Sequence, residues 1–435
     1  NKETGENYES KVTPGYLGSH YTNNNFPKTN ITILTINYYD DYAFNRAGTG
    51  DSVTTLDGKE STDRLKGLAT GSRVKVLGTD KWITTVSYYD EKARPIHVYS
   101  KNEYLETTDI VESELDFIGK VLETKTTHKK AGKAIVIFDK LEYDHADRLI
   151  TQKQTIGSHT ELIVKNKYDN LGQLESKGVG NTEASPLQTV DYAYNVRGWL
   201  KQINNPISLG NDLFSFKLNY NTTEISGSTA LFNGNISETA WNTASSNPTS
   251  NPVSTNYSYT YDALNRISGA KDNTKRYNLG TYNASGALIT PIRYDKNGNI
   301  LNLQRGGHID GGFTSFGLMD NLKYTYANNG TSNQLIKVEE LTGGSTLTGF
   351  KDGPNTGNDY TYDVNGNMKT DTNKGITAIA YNHLNLPTQV AMATGTINYV
   401  YDATGVKQKK ILSTGTTTDY AGNYIYENNT LQFFN

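Results

Sequence analysis

The chain has 435 residues, 42 basic and 45 acidic, for a formal net charge of −3; 35% are hydrophobic, and 31 are tyrosine against 12 phenylalanine and 3 tryptophan. This length exceeds what one compact core usually fills, so several domains or an elongated repeat array is expected. The absence of cysteine excludes disulfides, thiol catalysis, iron–sulfur clusters and cysteine–zinc sites, the dispersed charges give no basic stripe for nucleic acid, and no run of about 18 apolar residues is present to span a membrane as a helix.

Taken in chain order, residues 1–30 are polar, lack a signal-peptide apolar region and read as an extended leading segment. Residues 31–44 (ITILTINYYDDYAF) alternate as a strand should and end in a Tyr/Asp turn. Residues 45–72, rich in Gly, Thr, Asp and Ser, read as a loop with one short helix near Ser61–Leu68. From Ser72 on, alternating runs such as RVKVLG, WITTVSYYD and AIVIFDKLEYD predict strands closed by charged or glycine-containing turns. The composition shifts at 225–256, where Ser, Thr, Asn and Pro dominate; LFNGNIS and Trp241 make this a decorated hairpin or insert rather than a plain linker. The chain thus divides into 1–72 (leading segment and first strand), 73–224 (irregular repeats), 225–256 (the insert) and 257–435 (regular repeats). It starts without Met and ends inside a repeat at LQFFN, as a fragment of a longer protein would.

The repeat is Tyr-x-Tyr-Asp or a near copy, followed by a short polar turn and an apolar residue. Its clearest copies are YTYDALNRI (259–267), YTYDVNGNM (360–368) and YVYDATGVK (399–407). Ten aligned positions fall at 90, 144, 169, 195, 262, 295, 327, 363, 402 and 427, in steps of mostly 25–39 residues, enough for two to four strands each. Two tyrosines spaced by two share one face of a strand, so neighbouring copies are expected to stack into an aromatic ladder. The aspartate leaves the strand to accept hydrogen bonds from turn amides, and Asn-Gly at 297–298 and 365–366 supplies positive φ. No step carries an amphipathic helix, which excludes a parallel βαβ array. The repeat-structural residues are Tyr89, Asp90, Tyr143, Asp144, Tyr168, Asp169, Tyr192, Tyr194, Tyr259, Tyr261, Asp262, Tyr294, Asp295, Tyr360, Tyr362, Asp363, Tyr399, Tyr401 and Asp402. The expected fold class is all-β: one long antiparallel sheet of hairpins that curls or spirals to bury a face.

These copies, with the phrases ILTINYYDDYAF (33–44), VRGWLKQINN (196–205), YDALNRI (261–267), YNHLNLP (381–387) and DYAGNYIYENNTLQFF (419–434), resemble the RHS/YD-repeat family, and within it the exported RHS proteins of Bacteroidota. The resemblance implies a β-sheet strip wound into a hollow shell around a C-terminal toxin domain, in a secreted or cell-surface protein. The chain stops before the family's C-terminal core, and no DPxG-type self-cleavage motif is present. Protease and toxin activities therefore do not attach to these residues.

No catalytic constellation competes with that reading. Asp295-Lys-Asn297-Gly-Asn299 and Asp363-Val-Asn365-Gly-Asn367 resemble the start of a calcium loop, but glycine falls at the fourth position rather than the sixth and no glutamate follows at the twelfth, so they read as hairpin turns. The seven histidines (20, 97, 128, 145, 159, 308, 383) lack zinc-ligand spacing, the Gly-rich GGHIDGG (306–312) lacks the Lys-Ser/Thr of a phosphate loop, and Trp82, Trp199 and Trp241 read as sheet-packing anchors. We expect no enzyme, cofactor or metal in these residues. The leading functional reading is the structural wall of a toxin-enclosing shell, its partner being its own C-terminal core and toxin domain. The alternatives are an adhesin whose tyrosine rows bind surface glycans, and a substrate held by secretion machinery such as the type IX route. Neither nucleic acid nor a membrane span is expected.

Overall fold

The computed structural model describes residues 9–25, 28–58, 60–244, 253–272, 276–283, 287–341, 343–354 and 356–434. Part of the leading segment (1–8) and of the insert (245–252) lies outside the described residues. The fold is all-β, built from long antiparallel sheets of consecutive hairpins, as the alternating pattern and the repeat predict. The chain forms two compact units, Asn1–Val164 with Tyr381–Gln389 and Gly395–Asn435, and Lys165–Ala380 with Val390–Thr394.

In the first unit an N-terminal meander runs through Thr35–Tyr39, Ala69–Lys75, Trp82–Tyr89, Pro95–Asn102, Thr107–Leu115, Val121–Lys130, Lys133–Tyr143 and Leu149–Ile156, each strand antiparallel to the next. A C-terminal meander runs through Gly395–Tyr401, Lys407–Leu412, Thr417–Ala421, Tyr424–Glu427 and Thr430–Phe434. The second unit repeats the plan: Leu174–Asn181, Pro186–Tyr194, Leu200–Ile203, Phe214–Asn219, Glu238–Thr243, Val253–Tyr261 and Ile267–Asp272 pair in succession. Asn278–Leu279 then joins Ile267–Asp272 to Ile300–His308, and Phe316–Tyr326 and Leu335–Glu340 follow.

A single sheet layer buries little, which fits a chain that is only 35% hydrophobic. The largest apolar cluster lies where the segment between the first two strands folds over them. Tyr42, Phe44 and Leu65 are buried with Ile36, Tyr38, Val86 and Tyr88. Phe44 stacks on Tyr38 (ring centroids 4.0 Å apart, 2° between planes), and a Cβ at Gly71 would lie 2.4 Å from the Phe44 ring, so glycine is needed for the ring to lie flat there. The helix expected near Ser61–Leu68 does not form. The segment has no helical apolar stripe beyond Leu65 and Leu68, and it turns at Gly67, whose φ is 81° and whose N–H donates to the Asp40 carboxylate (2.6 Å).

Residues 9–24 guard the outer edge of the first strand. Tyr21 stacks on Tyr38 and donates its hydroxyl to the Asn37 carbonyl (2.9 Å), while the Lys11 ammonium donates to the Tyr39 carbonyl and pairs with Asp41 (2.8 Å). Occupying the carbonyls of an edge strand in this way opposes sheet-to-sheet addition.

Candidate functional site

The chemistry that recurs is a turn. At Asp90, Asp116, Asp144, Asp169, Asn195, Asp262, Asp295, Asp363, Asn382 and Asp402, the side-chain Oδ1 accepts from the backbone N–H two and four residues on, at 2.8–3.1 Å. The same residue's own N–H donates to the carbonyl four residues on. Its fourth residue takes positive φ, as at Gly298 (90°) or Asn265 (62°), and the strand register slips by one at the tyrosine before the aspartate. This is a type I turn closed by a left-handed residue and a bulge. In the Asn-Gly pairs at 297–298 and 365–366 the positive φ falls on the glycine, Gly298 (90°) and Gly366 (84°).

Oδ2 is filled by the side chain four residues on: Arg94, Arg148 and Arg266 donate Nε at 2.6–2.7 Å, and Asn299 and Asn367 donate Nδ2 at 2.7 and 3.0 Å. The charge is held accordingly. The backbone N–H and then the guanidinium of Arg148 lower the Asp144 carboxyl to about 2. The backbone N–H of Arg266 leads in lowering Asp262, and the Asn367 amide leads in lowering Asp363. The calcium-like Asp-x-Asn-Gly-Asn runs spend their carboxylate oxygens on these turn bonds.

The tyrosine before the aspartate ties one hairpin to the preceding one. Tyr89 donates its hydroxyl to the Ala69 carbonyl (2.6 Å), Tyr261 to Ile236 (2.8 Å), Tyr294 to Ile267 (2.7 Å), Tyr326 to Ile300 (2.9 Å) and Tyr362 to Leu335 (2.5 Å). The acceptors Ile267 and Ile300 are the first residues of the preceding hairpin's return strand. The ring pairs of the repeat tyrosines do not build the expected ladder between copies: Tyr257 with Tyr259 and Tyr399 with Tyr401 (both 6.3 Å) pair within a phrase, and Tyr88 meets Tyr42 (4.9 Å) where the segment after the first strand folds over the sheet. A return strand separates successive copies, which sets their rings about 9–10 Å apart, too far to stack but within reach of a hydroxyl for the carbonyl between.

The turns are also tied along the rim. In the first unit the Arg94 guanidinium donates to the Asp116 carbonyl (2.7 Å) and Lys120 pairs with Asp147 (2.5 Å). In the second, Arg266 donates to the Asp295 carbonyl (3.0 Å), Asn233 and Asn235 donate to the Asn265 side chain (2.7 and 3.1 Å), and Asn297 and Asn299 donate to Asn333 (3.0 and 2.8 Å).

Among the remaining predicted tyrosines, Tyr143, Tyr168, Tyr192 and Tyr194 pair with Leu149, Leu174, Ile203 and Leu200 in the strand ladders. Tyr259 pairs with Ala270 and shares a hydrogen bond with Thr239 (2.9 Å), and Tyr360 pairs with Asp371. Lys407 lies 4.7 Å over the Tyr399 ring, and Tyr401 is buried. Two aligned positions depart from the pattern. Ala327 has no side-chain oxygen and starts a wider loop through left-handed Asn328 and Asn329; Glu427, one methylene longer than aspartate, precedes a two-residue turn at Asn428-Asn429. Conversely, Asp116 and Asn382 make the full turn. Asp116 follows leucine rather than tyrosine, and its signal was the D-x-x-G-K run alone.

The first unit also contains a seam that the repeat pattern does not announce. The C-terminal meander lies against the tight-turn ends of the N-terminal one. Val76, fully buried, bridges to Asp402; Leu77 N–H donates to the Tyr401 carbonyl and Ala403 N–H to the Lys75 carbonyl, both at 2.8 Å. Asn102 donates to Gln408 (2.8 Å), which donates to the Asp402 carboxylate (3.1 Å). Leu105 is buried among Ala421, Tyr424 and Tyr426. His128 stacks on Tyr424 (3.7 Å) between the Asp109 carboxylate (2.5 Å) and the Tyr426 hydroxyl (2.8 Å). Asp419, nearly fully buried, holds Lys130 at 2.7 Å and Lys409 at 3.1 Å. Burial, and then the Asp109 charge, raise the phenol pKa of Tyr424 and Tyr426, keeping both hydroxyls neutral. For the buried Lys130–Asp419 pair, removing one partner leaves the other charge uncompensated and costs about 3–5 kcal/mol.

No family model matches the sequence, and no curated protein matches it. Solved structures do. The Photorhabdus luminescens Tc holotoxin pore matches 91% of this chain with a TM-score of 0.55 at 14% identity, over 19% of its own chain. A TcdB2–TccC3 crystal structure without the hypervariable C-terminal region matches 88% of this chain at a TM-score of 0.45 and 14% identity, over 20% of its own. The chain thus spans about a fifth of the length of the chains it matches. The first likeness supports the RHS-like hairpin fold expected from the repeat.

Proposed function

We propose that this chain is part of the wall of an exported RHS-type shell that encloses a toxin or effector carried at the C-terminal end of its parent protein, and that the parent belongs to the RHS proteins of Bacteroidota. One observation carries the reading: a hairpin with the same side-chain-capped turn recurs through both units, five of its copies bear the backward tyrosine bond, and turns are cross-tied along a rim. Such a strip commits its polar groups to its own construction, as a wall requires. Secretion or surface display follows from the resemblance, and the type IX route is one means of export. The test is cryo-electron microscopy of the intact parent: density enclosed by the hairpin sheet supports the wall, and an open sheet with no interior refutes it.

A second reading has one specific observation behind it. In the second unit, Trp241, Tyr257, Tyr259, Tyr277 and His308 line an open cleft of about 530 Å³, with Trp241 and Tyr257 nearly parallel (9°, 5.6 Å). Aromatic platforms of this kind stack on sugar rings, so the cleft supports the adhesin alternative. Glycan binding that is lost in Trp241→Ala supports it, and silence of the wild-type chain on a glycan array removes it.

A further inference from the structure

Four strongly exposed apolar side chains of the second unit lie along one rim. Leu171, Val196, Phe232 and Leu264, each between 67% and 105% exposed, all sit at the tips of loops on the rim of side-chain-capped turns. Three lie one or two residues after the capping side chain of their turn, and Phe232 lies in the loop that Asn233 and Asn235 tie to the neighbouring turn at Asn265. The turn itself is held by polar bonds at the capping residue and four positions on, so its tip residues are free of internal work. Hydrophobic side chains placed in consecutive tips make a row, and a row of exposed apolar groups along one edge marks an interaction surface.

In the first unit one such capped turn is covered. At Asp402 the turn is met by the tight-turn end of another hairpin: Val76 becomes fully buried, and two backbone hydrogen bonds, Leu77 N–H to the Tyr401 carbonyl and Ala403 N–H to the Lys75 carbonyl, fix the contact. The partner that fits this turn is therefore the opposite end of a hairpin, bearing an aliphatic side chain with one backbone donor and one backbone acceptor beside it. The second unit carries such ends itself. The connections after Leu200–Ile203 and Ile300–His308 leave the strands at the end opposite the capped turns, and they expose Ile207 and Phe313. The second unit thus carries both kinds of element that meet at Asp402, a capped turn and the apolar opposite end of a hairpin.

We infer that the capped-turn rim of the second unit is a docking edge that takes the opposite rim of a second hairpin strip of this kind, which for this chain in solution is a second copy of itself. The contact is head-to-tail, so it can add further copies rather than closing as a symmetric dimer. It does not depend on the chain enclosing a cargo.

The test uses the intact chain. Size exclusion with light scattering over a hundredfold concentration range is expected to show association growing with concentration, and Val196→Asp combined with Leu264→Asp is expected to return the chain to monomer with an unchanged circular dichroism spectrum. A photo-crosslinking residue at Val196 is expected to yield peptides from 204–213 or 309–315 of another copy. A chain that stays monomeric throughout, crosslinks joining Val196 to Val196, or crosslinks to an unrelated polypeptide would each overturn the inference. Should the exposed double variant misfold, Leu171→Asp alone is expected to weaken association measurably, and no effect from it counts against the docking edge. Failure here leaves the container reading standing, since that reading is decided by enclosed density in the parent.

Discussion

Tyr326→Phe removes one hydroxyl and nothing else. That hydroxyl donates at 2.9 Å to the carbonyl of Ile300, the first residue of the preceding return strand. A typical intramolecular hydrogen bond contributes a net 0.5–1.5 kcal/mol, about 1 at the centre. At room temperature about 1 kcal/mol is roughly a fivefold change in an equilibrium constant. Because a strip of hairpins opens locally, global melting is the wrong readout, and hydrogen exchange resolved by peptide is the right one. Peptides spanning 295–303 and 320–327 are expected to exchange about three- to tenfold faster in Tyr326→Phe, with other peptides unchanged. Tyr399→Phe keeps the Lys407 contact over the ring and is the matched control, expected to stay within about twofold. Equal, small effects in both variants would refute the claim that the tyrosine hydroxyl fastens successive hairpins.

Other expectations follow from the same geometry. Asp363→Asn keeps the two backbone bonds, as asparagine does at 195 and 382, and loses the acceptor for Asn367 Nδ2, so it should cost less than Asp363→Ala, which should cost about 1–2 kcal/mol by the capping analogy, both read by exchange at 363–368. The Asp144 carboxyl is lowered to about 2 and that of Asp262 is lowered as well, so the contribution of each is complete above its unfolded value and is lost as pH falls through its folded one; protease sensitivity at the Asp144 turn is expected to rise as pH falls from about 4 toward 2, with the Asp262 turn following in the same direction, and a flat profile would contradict the assignment. Leu105→Ala, at a site 3% exposed, should cost about 2–5 kcal/mol and release the C-terminal meander, seen as new cleavage after residue 395. Gly71→Ala would set a methyl against the Phe44 ring and is expected to expose the 40–68 segment to proteolysis without loosening the strands of the second unit.

Strand content, hairpin order and the capping aspartates were legible because they depend on neighbours in sequence. Alternation shows in Thr35–Tyr39, and Asp-x-x-Gly carries its own turn. The roles of the tyrosines were legible only in part. Their positions follow from the repeat, but the choice between stacking and reaching for a carbonyl depends on an intervening strand that the phrase does not contain. The packing of residues 40–68 over the first strands was hidden because its apolar anchors, Tyr42, Phe44 and Leu65, follow neither a strand nor a helix period. The seam was hidden for a different reason: His128, Lys130 and Leu105 look like ordinary strand and turn residues, and their partners lie about 300 positions away. The Asp116 turn lies outside the tyrosine repeat because Leu115 precedes it, and the turn needs only the carboxylate.

The five tyrosine bonds that fasten one hairpin to the preceding one, from Tyr89, Tyr261, Tyr294, Tyr326 and Tyr362, all point backward along the chain, to carbonyls 20 to 27 residues earlier. A hairpin emerging from a ribosome or an export channel therefore finds everything it needs already outside. Ordering can proceed from the first strand onward without waiting for downstream sequence, at a rate set by local loop closure rather than by long searches. The seam is the exception, since Asn102, His128 and Lys130 receive their partners only after residues 408 to 426 have appeared. The molecule thus has a clock written into its bonding: a strip that sets as it is delivered, and a fastening that registers the arrival of its last strands.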